Sequence, residues 1–181
     1  MKPYLLGIDI GTSACKVAVF EKSGTVVAAA NGDYPVYYPK EGWAEQNPEE
    51  WWSAVCQAVK KAIQKAGIAP EEIAGIGIDG QSWSAIAMDK DGNVLTNTPI
   101  WMDTRAQSIC DRLNEEIGAE QIFEVSGNSL QPSYTTAKIL WYKENLPEVY
   151  QRIHKILQSN SYIAYKPVSY THLTLPTTPY V

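Results

Sequence analysis

The chain is organised around one stretch near its start, Tyr4-Leu-Leu-Gly-Ile-Asp-Ile-Gly-Thr-Ser-Ala-Cys-Lys16. Its apolar run leads to a single acid, Asp9. Turn residues at 11–13 separate this run from a second apolar run at 17–20. Apolar runs of this length that are bounded by turn residues predict two buried strands joined by a tight hairpin.

The turn of this hairpin carries groups that suit a phosphate ligand. Gly11 lets a ligand approach the backbone closely, and Thr12 and Ser13 add hydroxyl and amide N–H groups. Lys16 adds a positive charge, and Asp9 at the strand end could hold Mg²⁺ directly or through water. Donors and a cation beside a carboxylate suit a metal-bound polyphosphate. The alternative that this short motif leaves open is an ordinary hairpin turn.

The composition limits the class of protein. A chain of 181 residues suits one domain rather than two, and 45% hydrophobic with 19% charged residues is globular rather than disordered. The net charge of −5 disfavours a nucleic-acid partner, and no apolar run approaches the ~20 residues that span a bilayer. Cys15, Cys56 and Cys110 lack metal-ligand spacing, and no signal peptide is apparent. A cytoplasmic location is therefore expected.

Local patterns predict the elements that follow the hairpin. A third strand at 25–30 extends it into an antiparallel meander, and a loop with several aromatic residues follows at 31–46. A long helix begins after Asn47, with Glu50 completing a capping box, and ends at Gly67. The aromatic residues of the loop are expected to pack on the core, and the alternative is that they line a cleft.

A second set of polar residues follows two later strands. The predicted strand at 73–79 ends in an acid followed by glycine, as the first one does, and Gln81-Ser82-Trp83 comes next. A short strand at 99–102 brings Asp103 and Arg105 to the start of a helix, where Asp103 is expected to be the N-cap. Arg105 could either pair with a carboxylate or contact a ligand.

The last stretch differs from the rest. Residues 167–181 contain three prolines, four threonines and no acid, without helical or strand periodicity. We interpret them as a non-native tail, such as read-through of non-coding or adapter sequence, joined where the natural chain was cut. The expected division is a folded part at 1–166 and a foreign tail at 167–181.

Five motifs in series resemble the FGGY carbohydrate kinases, a family of the hexokinase and actin superfamily. They lie at residues 7–16, 43–52, 77–83, 99–105 and 137–141, and together they extend the resemblance over residues 4–166. The members that the chain resembles most are xylulokinases. The resemblance implies an α/β, ribonuclease-H-like N-terminal domain, here truncated. Its mixed sheet contains the β1-β2-β3 meander and is flanked by helices, on one side of a cleft between two such domains.

The resemblance also assigns site residues. Those that would face ATP are Asp9, Gly11, Thr12, Ser13 and Lys16, with Asp9 assisting Mg²⁺. Those on the sugar side would be Gln81, Ser82, Trp83, Asp103 and Arg105. Many xylulokinases carry Met-His where this chain has Ser82-Trp83, which leaves the sugar open. Asp9 and Trp83 are expected to line one shared cavity.

The implied activity belongs to a longer parent protein. The family's general base, an Asp, lies downstream of this chain, so no catalytic residue is assigned here and the chain itself is expected to be inactive. The parent would transfer the γ-phosphate of ATP to a pentulose, D-xylulose first, with gluconate, ribulose and glycerol as alternatives. A non-catalytic nucleotide- or sugar-binding protein of the actin-like superfamily is the alternative from another class. The expected partners are ATP and the sugar, without nucleic acid or membrane, and a homodimeric parent is left open.

Overall fold

The computed structural model describes residues 3–168, which form a mixed α/β fold. The strands are β1 (Tyr4–Ile10), β2 (Ala14–Glu21), β3 (Val26–Asp33), β4 (Glu45–Gln46), β5 (Ile73–Gly80), β6 (Ile86–Met88), β7 (Thr98–Pro99) and β8 (Lys155–Leu157). The helices are α1 (Pro48–Ala66), α2 (Gln107–Leu113), α3 (Ala119–Ser126), α4 (Thr135–Asn145), α5 (Pro147–Arg152) and α6 (Ser159–Val168). A 3₁₀ turn at Pro70–Glu72 and a π-helical segment at Asn114–Gly118 complete the list.

The main sheet has four strands in the order β3-β2-β1-β5. The strand pairs β1–β2 and β2–β3 are antiparallel, which confirms the predicted meander, and β5 is parallel to β1 after the crossover through α1. The register places Asp9 opposite Lys16 on β2 and opposite Asp79 on β5. The sheet therefore brings the strand-end acids of β1 and β5 together.

One face of this sheet forms the core. Alternation along β1 points Leu6, Ile8 and Ile10 towards α1, whose Trp51 is fully buried, while Asp9 lies on the other face. Helices α1 and α6 pack on the covered face. Asp9 lies on the opposite face. Within residues 3–168, no helix covers that face in the way that α1 covers the first.

The ends of α1 are mostly as predicted. The side chain of Asn47 accepts a hydrogen bond from the amide of Glu49 (3.0 Å), and Gly67 takes a left-handed conformation at the C-terminus. The capping box predicted for Glu50 is wrong, because its carboxylate accepts a hydrogen bond from the hydroxyl of Tyr37 (2.8 Å) instead. One side-chain cap therefore begins this helix, not two.

The region predicted as a loop at 31–46 contains more regular structure. Strand β3 continues to Asp33, and β4 pairs antiparallel with β7, which is shorter than the strand predicted at 99–102. Tyr34 is buried against Trp51, as the packing interpretation expects, while Tyr38 is exposed. Long-range pairing gives these short strands their place, which a local pattern does not reveal.

A second apolar cluster lies beside the first. It joins α2, α4 and the start of β6, and β6 pairs with β8. Helix α6 continues to Val168, two residues past the predicted end of the folded part, and the rest of the predicted tail lies outside the described residues. In the described part of the chain, no helix has the length and apolar character needed to cross a bilayer.

Candidate phosphate- and sugar-binding site

The hairpin loop at 11–13 is held by its carbonyl groups. The Gly11 carbonyl accepts a hydrogen bond from the Tyr34 hydroxyl (2.6 Å), and the Ser13 carbonyl accepts one from the Tyr34 amide (3.2 Å). The Thr12 carbonyl accepts one from Nε2 of Gln46 (2.8 Å). Within residues 3–168, the amide N–H groups of Thr12 and Ser13 have no protein acceptor. The loop is therefore fixed from one side and keeps its donors for a ligand.

The exposed face of the sheet carries charges beside this loop. Asp9, Lys16, Asn31 and Asp79 line one part of a depression of about 630 Å³ that extends across β1, β2, β3 and β5, and its other lining residues are apolar or glycine. Lys16 is exposed and forms no ion pair with any described residue. Asp79 is not among the predicted site residues. The signal for it was present, since Asp79 comes near the end of β5 and just before a glycine, much as Asp9 comes near the end of β1 and shortly before Gly11.

The carboxylates of Asp9 and Asp79 suit a metal ion that binds together with a phosphate ligand. Among the residues that the structure describes, no three His, Cys, Asp or Glu side chains come together as a metal site. Asp9 and Asp79 nevertheless offer carboxylate oxygens, the ligand type that Mg²⁺ prefers. Mg²⁺ is commonly held by one or two carboxylates together with phosphate oxygens, so these two acids suit a metal–polyphosphate complex.

Gln81 links the loop to the second set of site residues. Its amide donates to the Ile10 carbonyl (2.8 Å), and its Nε2 donates to Oε1 of Gln46 (2.8 Å) and lies 3.5 Å from the Gly11 carbonyl. Its Oε1 is buried and has no donor among the described residues. The side chain is thus turned towards the loop rather than towards an open surface.

Ser82 and Trp83 are exposed, and Trp83 has an unusual backbone. Its φ of +64° lies in the left-handed region, and its ring packs on Tyr134 with ring centroids 4.8 Å apart. The two rings line a depression of about 430 Å³ between α3 and α4. Polar side chains from the same wall are Ser126, Asn128, Ser129, Thr135 and Thr136. An aromatic face beside hydroxyl groups suits a polyhydroxylated ligand.

Trp101 contacts the hairpin loop at 11–13, which we call the phosphate loop. Its indole N–H donates to Oγ1 of Thr12 (3.0 Å), although its ring is 42% exposed. The sequence did not predict Trp101 as a site residue. Asp9 and Trp83 themselves line separate depressions, so the predicted shared cavity is not formed by residues 3–168.

Arg105 and Asp103 lie inside the protein. The guanidinium contacts Asp103 and Glu45, each at 2.8 Å, and stacks 3.8 Å from the centre of the Trp43 ring. Only 4% of the Arg105 side chain and none of Asp103 is exposed. Burial opposes the charge of Arg105, but hydrogen bonds to Asp103 and Glu45 outweigh it and raise its pKa. Arg105 therefore pairs with carboxylates, which was one of its two predicted roles.

The N-cap role predicted for Asp103 is wrong. Helix α2 begins at Gln107 after Ala106, whose side chain offers no cap. Asp103 accepts a hydrogen bond from the Ala44 amide (2.7 Å) and others from Arg105. It thus joins two distant segments instead of starting a helix.

Lys138 is a buried charge that sequence reasoning missed. It lies on α4, is not exposed, and donates from Nζ to the carbonyls of Trp83 (2.7 Å) and Ile100 (2.8 Å). Burial lowers its pKa to about 7; nearby Asp103 opposes this shift and Arg105 adds to it. The signal for its burial was its position beside Ala137 on the inward face of α4, since lysines are seldom buried without a partner.

Comparison with known proteins identifies the family. Residues 4–174 match the N-terminal domain of the FGGY family of carbohydrate kinases, so the match continues past residue 166 into the predicted tail. The xylulose kinase of Bacillus subtilis is 31% identical over 169 residues, which are 93% of this chain and 34% of that protein. Glycerol kinase 2 of Thermotoga maritima is 37% identical over 153 residues, which are 84% of this chain and 31% of that protein.

The fold agrees with this match. The crystal structure of the gluconate kinase from Lactobacillus acidophilus superposes with a TM-score of 0.83 at 31% identity, covering 90% of this chain and 32% of that one. The chain therefore spans about a third of the length of these relatives. The match over residues 4–174 shows that the chain belongs to the FGGY family of carbohydrate kinases.

Proposed function

We propose that this chain is the N-terminal part of an ATP-dependent sugar kinase. The parent protein transfers the γ-phosphate of ATP to a primary hydroxyl of a pentulose, with D-xylulose as the first candidate. The observation that carries the proposal is the contact between Trp101 and Thr12, which places a partly exposed indole beside a loop with free amide donors. Lys138 links the backbone before Trp101 to Trp83, whose ring forms the aromatic wall together with Tyr134. A phosphoryl-transfer site needs these two surfaces side by side.

The loop side is suited to the phosphates of ATP. The free amides and the hydroxyls of Thr12 and Ser13 would donate to phosphate oxygens, and the unpaired ammonium of Lys16 would offset their charge. Asp9 and Asp79 would hold Mg²⁺ through their carboxylates. When bound, the metal supplies further neutralisation of phosphate charge.

The aromatic side is suited to the sugar. Trp83 and Tyr134 offer apolar faces to C–H groups, and the hydroxyls of Thr135 and Ser129 can pair with sugar hydroxyls. Gln81 would act as the link that keeps this wall at a fixed distance from the loop. Asp103 and Arg105 would support the wall from inside the protein rather than contact the sugar, since neither is exposed.

We also propose that the 181-residue chain is inactive by itself. Removal of the proton from a sugar hydroxyl needs an acceptor within hydrogen-bond reach. Among the residues that the structure describes, no carboxylate lines the depression that contains Trp83. The general base would come from the region of the parent that corresponds to the unmatched two thirds of the relatives.

D-xylulose, glycerol and gluconate are the candidate sugars. Relatives named for xylulose, glycerol and gluconate match the chain at similar identities, so glycerol and gluconate fit as well as D-xylulose. The proposed location of the parent is the cytoplasm, which the three free thiols of the described residues support.

Thermal unfolding of the chain with ligands tests the proposal. MgATP and D-xylulose should each raise the melting temperature, because a ligand at 100 times its Kd stabilises the folded state by about 2.7 kcal/mol. Lys16→Met should reduce the MgATP effect only. Glycerol and gluconate, measured alongside, rank the sugars. A shift with nucleotide but with none of the sugars would support a non-catalytic nucleotide-binding protein, and sugar-dependent ADP release would contradict the predicted inactivity.

A further inference from the structure

Helix α4 holds the backbone of residues 83–85 by side chains rather than by strand pairing. Three side chains on one face of the helix, spaced by three and four residues, each donate to a main-chain carbonyl of this segment. The bonds run from Thr135 to the Ser84 carbonyl (3.2 Å), from Lys138 to the Trp83 carbonyl (2.7 Å) and from Tyr142 to the Ala85 carbonyl (3.0 Å). The helix therefore holds this segment at three carbonyls, and Oγ1 of Thr98 accepts a further bond from the Ala85 amide (3.0 Å).

Lys138 differs from the other two because it also binds a second segment. Its Nζ donates to the carbonyl of Ile100 (2.8 Å), the residue before Trp101. One buried ammonium thus fixes the backbone at both exposed tryptophans of the sugar side. We propose that Lys138 is a positioning residue that sets the placement of Trp83 relative to Trp101, and through it the range of sugars that the site accepts. The second part rests on the proposed function.

The backbone of Trp83 needs such support. A φ of +64° is unfavourable for a residue with a bulky side chain, and such conformations persist only where the surroundings fix them. The Lys138 ammonium bonds the carbonyl of this same residue, and packing on Tyr134 holds its ring. Both contacts come from α4 or the residue directly before it.

The chemistry of the position explains why it is a lysine. Two buried carbonyls from separate segments need one donor group that serves both, and an ammonium has three donors. An apolar residue of the same length, such as methionine, would fill the space and leave both carbonyls without a partner. Asp103 and Arg105 are the charged groups nearby, and Asp103 favours the charged form of Lys138.

Acrylamide quenching of Trp83 in the 181-residue chain tests the positioning role. Quenching is measured for Lys138→Met and for the control Tyr142→Phe, each with and without the additional change Trp83→Phe. The difference between the two measurements of each variant gives the contribution of Trp83. The control removes a comparable bond from α4, to the carbonyl of Ala85, and leaves the bonds to the Trp83 and Ile100 carbonyls in place. Quenching should roughly double in Lys138→Met, because a ring that is 41% exposed becomes almost fully exposed, and should stay unchanged in Tyr142→Phe. Unchanged quenching in a folded Lys138→Met chain would overturn the inference.

Folding of the variants and their ligand-induced thermal shifts are two further measurements. If Lys138→Met does not fold, Lys138→Gln is measured instead; failure of both to fold while Tyr142→Phe folds would make Lys138 a core residue and overturn the positioning role. Ligand shifts separate the two proposals. No sugar shift in the unmodified chain counts against the proposed function alone. A folded Lys138 variant that keeps the same ranking of D-xylulose, glycerol and gluconate overturns the role in selectivity.

Discussion

Burial of Lys138 predicts that the stability of the protein depends on pH. Its pKa is lowered to about 7 by burial, whereas in the unfolded chain it returns to the usual value of about 10.4. Between these values the unfolded state binds more protons, so the free energy of unfolding rises with pH. We expect a gain of about 1 kcal/mol between about pH 6.5 and about pH 8 in urea unfolding.

The Lys138→Met variant is the control for this prediction, because it lacks the titrating group. Its stability should stay nearly constant over the same pH interval. Burial raises the pKa of the thiols of Cys15, Cys56 and Cys110, so any ionisation of these thiols in the unfolded chain lowers the stability of both proteins by the same amount. An equal gain in both proteins would show that another group titrates.

Gly11 is required by the shape of the hairpin loop. A Cβ added there would lie 2.9 Å from the carbonyl oxygen of Ala14, closer than real Cβ contacts. Gly11→Ala should therefore lower the free energy of unfolding by about 1–3 kcal/mol and weaken the MgATP-induced thermal shift. Gly75→Ala is the control, since its Cβ would make only an ordinary contact with Leu5. Equal effects of the two changes would argue against a special role for the loop.

At the scale of elements, the start of α1 depends on one side chain. Asn47→Ala should cost about 1 kcal/mol in urea unfolding, because it removes the cap on the Glu49 amide. Glu50→Gln should cost much less, since Glu50 bonds the exposed Tyr37 and forms no capping box. A larger loss for Glu50→Gln than for Asn47→Ala would reverse this assignment.

The sequence predicted the elements whose signals are local. The hairpin, the meander and α1 follow from apolar runs, turn residues and caps within a few residues of each other, and so does the loop that contains Thr12. The pairing of Trp101 with Thr12 joins residues 89 positions apart, and Asp103 reaches an amide 59 positions away. Such contacts depend on tertiary packing, so a helix-start pattern at Asp103 misled and the Trp101 contact was not foreseen.

Tertiary packing also explains why the partners of the buried Lys138 were not predicted. Lysines are mostly exposed, and the lysines of α1 do follow that rule. The partners of Lys138 are carbonyls 38 and 55 positions away, which no pattern within α4 reveals.

At the scale of the whole molecule, the sheet has an uncovered apolar surface. Ile76 on β5 is 60% exposed, and β5 is the outer strand of the sheet formed by the described residues. Open edges and apolar faces promote association. We expect the chain to form oligomers as its concentration rises, measured by light scattering, and Ile76→Lys to reduce them. Val125→Lys on α3, where the side chain is 84% exposed, is the control; equal reduction by both would show a general charge effect.

In the proposed function, the loop at 11–13 and the aromatic residues Trp83 and Trp101 form one ligand-binding unit. Tryptophan emission during MgATP titration tests it most directly, because the Trp101 indole N–H donates to the hydroxyl of Thr12 in the loop. We predict a saturable change in emission that is lost in Trp101→Phe and retained in Trp83→Phe. No change with MgATP, or a change that persists in Trp101→Phe, would contradict the claim.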